Sequence, residues 1–139
     1  MTTMLKTWMI IFAWLFMCTS ILWAQLSFDF AVISATNNHV DAYLSITNNG
    51  TETFSYDFPQ VPWHGVIVNG IIEPWAGLTV IDHFVLPPSQ TQSFNITQSI
   101  NVVNGVHSFQ AALMMVEDII PVGEIVYYEI SDGENHTIG

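Results

Sequence analysis

Val40-Asp41-Ala42-Tyr43-Leu44-Ser45-Ile46-Thr47-Asn48-Asn49-Gly50 is the stretch that decides the fold class. Val40, Ala42, Leu44 and Ile46 fall on one side of an extended chain. Asp41, Tyr43 and Ser45 fall on the other. That two-residue period describes a strand with one face on a core and one in water. The Asn48-Asn49-Gly50 that follows has residues that enter left-handed backbone conformations cheaply, so it predicts a hairpin into the next alternating run.

That run is Phe54, Tyr56 and Phe58, set against Ser55 and Asp57. Upstream, Phe28, Phe30 and Val32 alternate with Ser27 and Asp29. Downstream, Phe94 and Ile96 alternate with Ser93, Asn95 and Thr97, and Phe109, Ala111, Leu113 and Met115 mark one side of the run from His107. Glu124 to Ile130 is rich in the β-branched and aromatic residues that favour sheets. Shorter apolar pieces at Gly65–Val68, Ile71–Glu73 and His83–Leu86 predict further strands, with Asn69-Gly70 as a second hairpin turn. Ala111 to Val116 is compatible with a helix by composition, but its neighbours favour a strand. The expected fold is all-β: an antiparallel, immunoglobulin-like β-sandwich of seven to nine strands, with a small closed barrel as the structural rival. The expected core is Phe28, Phe30, Leu44, Phe54, Tyr56, Phe94, Phe109 and Leu113.

The chain has 139 residues, 12 acidic against one basic, and half of it is apolar. The single basic residue, Lys6, precedes an apolar run from Trp8 to Cys18, and Ile21-Leu22-Trp23-Ala24 follow. A basic start, an apolar stretch and a small closing residue match an export signal. Residues 1–24 are therefore expected to form a hydrophobic signal helix, cleaved after Ala24 or retained as an uncleaved anchor. Residues 25–130 form the expected β-sandwich domain, and 131–139 an acidic C-terminal tail. Localisation is then secreted or extracytoplasmic, with membrane contact only through 1–24 if that segment is retained. No Lys or Arg follows Lys6. Nucleic-acid binding is disfavoured, because phosphate contacts depend on those residues. Cys18 is the only Cys, so no disulfide joins the sheets.

Resemblance to a family enters with the order of these segments. Ala42 to Gly50, Phe54 to Phe58, Val66-Ile67-Val68-Asn69-Gly70 and Glu73-Pro74-Trp75 resemble successive segments of the intracellular proteinase inhibitor domains of the BsuPI type. Leu86-Pro87-Pro88-Ser89-Gln90-Thr91-Gln92-Ser93-Phe94 resembles that family's Leu-x-Pro-Gly-x-x-x-x-Phe segment, with Ser89 where the family usually has Gly. Gly105-Val106-His107-Ser108-Phe109 resembles its final strand start. The resemblance spans residues 40–115. It implies a small β-sandwich that acts on a protease by binding.

Chemistry is poorly represented. The five His, at 39, 64, 83, 107 and 136, stand in no Gly-x-Ser-x-Gly, His-x-x-x-His or His-Glu-x-x-His pattern. The chain is expected to be non-enzymatic, with no cofactor and no dedicated metal site. Asp132-Gly133-Glu134-Asn135 has oxygen ligands for Ca²⁺ but not the full loop, and reads as a solvated tail. Asn49, Asn95 and Asn135 head glycosylation sequons. The candidate partner-binding loop is Phe58 to Gly65. Pro59 and Pro62 stiffen it, Trp63 is a candidate aromatic anchor, and His64 lies beside that Trp. Folding back of Trp63 over one end of the sandwich is the competing reading. The expected function is protein binding, with a protease as the partner. The alternative is a structural or adhesive surface module that assembles through strand edges.

Overall fold

The protein is described by a computed structural model over residues 25–131 and, as backbone, 134–137. The expected signal helix at 1–24 lies outside the described residues. Nine strands and no helix occupy the described part: β1 (Leu26–Ala35), β2 (His39–Asn48), β3 (Phe54–Phe58), β4 (His64–Val68), β5 (Asp82–Leu86), β6 (Thr91–Ser99), β7 (Gly105–Met114), β8 (Ile119–Ser131) and β9 (Glu134–Thr137). They form three sheets, ordered β1-β2-β6, β3-β5 and β4-β7-β8-β9. Every pairing is antiparallel. The fold is all-β, and Ala111 belongs to a strand rather than a helix. Part of the expected acidic tail is sheet: residues 134–137 pair with the end of β8.

The deciding stretch is strand β2, central in its sheet. Val40, Ala42, Leu44 and Ile46 are buried, as the period requires. They join Phe109, Ala111 and Leu113 of β7, Phe54 and Phe58 of β3, and Phe84 and Leu86 of β5 in one apolar cluster shared by all three sheets. Phe28, Phe30, Tyr56 and Phe94 pack against its margin and are only partly buried. In β1 the register slips between Val32 and Ser34. That bulge leaves Ile33 without a partner on β2, turns it to solvent, and returns Ala35 to the core.

Turn chemistry misled at one place. Asn48-Asn49-Gly50 closes no hairpin: β2 pairs with β1 and β6, whereas β3 pairs with β5 in another sheet. Its Asn is used for something else. Asn48 is fully buried. Its Nδ2 donates to the carbonyls of Glu52 (2.8 Å) and Leu86 (2.9 Å), and its Oδ1 accepts from the Gly50 N–H (2.9 Å). The Asn48 backbone bonds Gln90 and Ser89. One side chain thus ties the end of β2 to the approach to β3 and to the exit from β5.

Ser89, beside it, has φ 67°. A residue with a Cβ pays about 1 kcal/mol or more for that left-handed conformation, and glycine does not. Ser89→Gly is expected to raise stability by roughly 0.5–1 kcal/mol, read as a higher urea midpoint at unchanged slope. Ser89→Val is expected to lower it.

Candidate binding surface

Two connections frame the candidate site: residues 59–63 between β3 and β4, and residues 69–81 between β4 and β5. They are tied together by backbone bonds, Val61 N–H to Leu78 O (3.0 Å) and Leu78 N–H to Val61 O (2.8 Å). The Gln60 amide donates to Pro62 O (3.0 Å) and Trp75 O (3.3 Å). The Trp75 indole N–H donates to Pro62 O (3.0 Å).

Trp63 is not an exposed anchor. It is 2% exposed, and its ring lies parallel to Phe58 at a centroid distance of 3.8 Å. Phe84 and Phe94 meet it edge-on at 5.2 and 5.0 Å. Its N–H donates to Asp82 Oδ2 at 2.8 Å. Three strands, β3, β5 and β6, supply these contacts, and a buried indole with a satisfied N–H is the outcome burial favours. Of the other residues in the expected loop, Pro59 and His64 are half-buried and Pro62 is exposed.

What faces water instead is the 69–81 connection. Ile71 is 60% exposed, Leu78 70% and Ile81 74%, with Ile72 and Val80 also open. The sequence predicts a strand at Ile71–Glu73. The Asn69-Gly70 turn does form, with φ of 53° and 71° and a bond from Ile71 N–H to Val68 O (3.0 Å). His107 and Ser108 hold Asn69 there: its amide donates to His107 Nδ1 (3.0 Å), and its Oδ1 accepts from the Ser108 N–H (3.1 Å). The hairpin nevertheless stops after the single bridge Val68↔Ile71. Gln98 of β6 has taken the next place on β4. Its Oε1 accepts from Val66 N–H and its Nε2 donates to Val66 O, both at 2.9 Å. A side-chain amide carries the same donor and acceptor as a peptide group, so it stands in for the missing strand neighbour.

With residue 73 displaced from β4, an open cleft of about 800 Å³ remains between β4, β6 and the returning chain. Trp75 lines it, lying against Gly65, where a Cβ would stand 2.6 Å from the ring carbons. Gly65→Ala is therefore expected to push the indole off β4. The expected cost is about 1–3 kcal/mol, with a red-shifted tryptophan emission as the direct sign.

His64 also lines the cleft. Its ring packs on Phe94 at 4.6 Å, and its Nδ1 is buried with no hydrogen-bond partner among the described residues. Burial pushes its pKa below the ordinary histidine value; its own backbone and the Asp82 carboxylate oppose that without reversing it. The unfolded chain then binds the proton more readily than the folded one. Stability is expected to fall as pH drops through about 6.5 and on through the lower folded value. His64→Phe should flatten Tm between pH 7 and pH 5 relative to the unsubstituted chain. Relief of acidic self-repulsion acts the other way, but mostly in the carboxylate range near pH 4.

Asp41 marks the far side of β6. Burial raises its pKa, but hydrogen bonds from Thr97 (3.0 Å), His39 (3.0 Å) and Ser34 (3.3 Å), with the His39 charge, outweigh this and leave it lowered. These groups converge on the carboxylate. A nucleophile-base set needs the imidazole as the hub, so the grouping is structural. His83 bonds Asp57 across β3 and β5 in an exposed pair. No group of three or more His, Cys, Asp or Glu that could hold a metal ion occurs among the described residues. No helix among the described residues is long and apolar enough to cross a membrane.

Of the sequon residues, Asn49 is exposed and its amide donates to Ser27 Oγ (2.9 Å). Asn95 is exposed on the cleft wall. Asn135 falls in β9, whose side chains lie outside the described set. Sequence reasoning did not find Gln98, Trp75's seat on Gly65 or the exposed 71–81 stretch. The available signal was Pro74 and Gly77 interrupting an aliphatic run, which argues against a continuous strand.

No family model matches this chain, and no curated protein matches it. Eight chains of solved structures do. One is a selenomethionine-labelled β-glucosidase from Kluyveromyces marxianus, with a TM-score of 0.41 and 13% identity over 76% of this chain. Another is the β-glucosidase from the same organism in complex with glucose, at 0.39 and 12% over 76%. This chain spans 15% of the length of each. Likeness at that level carries no argument about activity.

Proposed function

We propose that this chain is an exported, non-enzymatic binding module with an immunoglobulin-like β-sandwich, and that it acts as a proteinase inhibitor through the 69–81 connection. The strand orders support the sandwich. Sheets β1-β2-β6 and β4-β7-β8 have the relative order of the A-B-E and C-F-G strands of immunoglobulin-like domains. Ser89 supports the resemblance to BsuPI-type domains, since the position where that family usually has Gly is left-handed here.

The observation that carries the inhibitory role is the exposure of Leu78. It is open to solvent while its backbone is bonded on both sides to Val61. A side chain presented from a fixed backbone binds a cleft with little ordering entropy to lose. Gly77 and Thr79 flank it, both exposed. With no Lys or Arg in the domain, the matching proteases are those that accept an aliphatic or aromatic side chain. The test is a panel of chymotrypsin-, elastase- and subtilisin-like enzymes titrated with the full chain. Inhibition that disappears in Leu78→Asp is expected. Failure to inhibit any enzyme of the panel would remove the inhibitory role.

Assembly through strand edges is the second reading, favoured by the lack of Lys on any edge. Gln98 weighs against it at β4, because the outward backbone groups of Val66 are already bonded.

A further inference from the structure

We propose that the cleft between β4 and β6 is a binding site for a short, neutral oligosaccharide. The argument does not rest on the inhibitory role, and its first support is the division of polar groups along the cleft. Asn69 and Gln98 are spent on the protein itself, on His107, Ser108 and Val66. Glu73, Asn95, Ser99 and Asn101 also line the cleft, and their side chains make no hydrogen bond among the described residues. Two carboxamides, a hydroxyl and a carboxylate supply both donors and acceptors to a ligand.

Trp75 gives the cleft a flat apolar wall. One face of the indole rests on Gly65, and its N–H and its carbonyl are both bonded within the connection. The ring is therefore fixed before any ligand arrives, and little side-chain entropy is lost on contact. The electron-rich face of an indole attracts weakly positive C–H groups.

A pyranose has that combination of surfaces: C–H groups over one face and hydroxyls around its rim. An anionic ligand finds no Lys or Arg anywhere in residues 25–139. An apolar ligand would strip water from the four polar groups without replacing it, at a cost for each. A polyamine would meet one carboxylate and leave the amides unsatisfied. A cleft of about 800 Å³ is within the range that holds small ligands.

The experiment titrates the full chain, in a zwitterionic detergent free of sugar, with maltotriose, cellotriose, laminaritriose, mannotriose and N,N′,N″-triacetylchitotriose. Saturation-transfer NMR and tryptophan emission report binding. At least one trisaccharide is expected to bind with a millimolar or tighter Kd and to shift the emission. Trp75→Ala is expected to weaken it at least about tenfold. Asn101→Ala, an exposed position that leaves the core untouched, is expected to weaken it several-fold with Tm unchanged. No binding by any of the five sugars overturns the proposal. So does equal binding by the wild type and Asn101→Ala together with Trp75→Ala, and so does binding of spermidine with none of the sugars.

Discussion

Replacing Asn48 by leucine is expected to lower stability by about 3 kcal/mol or more, a large share of the roughly 5–15 kcal/mol that holds a domain folded. Leucine matches the volume but offers no partner to three backbone groups that Asn48 serves. The Leu86 carbonyl bond is the costly one, because it is buried. The Glu52 and Gly50 groups lie nearer the surface, where water replaces part of the loss. A second substitution separates hydrogen bonding from packing. Asn48→Asp keeps the acceptor for Gly50 but sets a carboxylate against two carbonyl oxygens. It should be the worse of the two at pH 7 and recover partly in acid, when the carboxyl regains a donor. Urea unfolding at pH 7 and pH 4 reads both. A loss of under about 1 kcal/mol for Asn48→Leu would mean this side chain does not hold the crossing.

Trp63→Ala is the other large effect, expected at about 3–5 kcal/mol. It removes the stack on Phe58, the edges against Phe84 and Phe94, and the bond to Asp82. Trp63→Phe keeps most of the apolar contact and gives up the N–H, so its cost should be roughly a third of that. Chemical denaturation of the two variants gives the ratio. Near-equal losses would assign the stabilisation to the Asp82 bond rather than to the ring. A near-zero loss for alanine would mean the ring is not part of the core.

Local pattern carried the strands and failed at the crossings. Val40 to Ile46 alternates because one face of β2 is buried, so period and burial coincide. Asn48-Asn49-Gly50 reads as a hairpin because turn residues report backbone conformation, not which sheet the chain enters next. The burial of Asn48 depends on Leu86, 38 residues away. Trp63 had two readings because its fate rests on Phe58, Phe84 and Phe94, which only the assembled strands bring together. The cleft was illegible for a similar reason. Its walls come from residues 62–76 and 95–102, and it exists because Gln98 outcompetes a nearby strand that Pro74 and Gly77 already weaken.

Gln98 also determines how this protein is expected to age. Hydrolysis of its side chain to a carboxylate would keep the bond to the Val66 N–H but turn an oxygen toward the Val66 carbonyl. The domain would stay folded, held by its interior, while the Val66 carbonyl lost its donor and became open to one from another chain. Old preparations should then associate before they lose native spectra, and Gln98→Glu should do so when fresh.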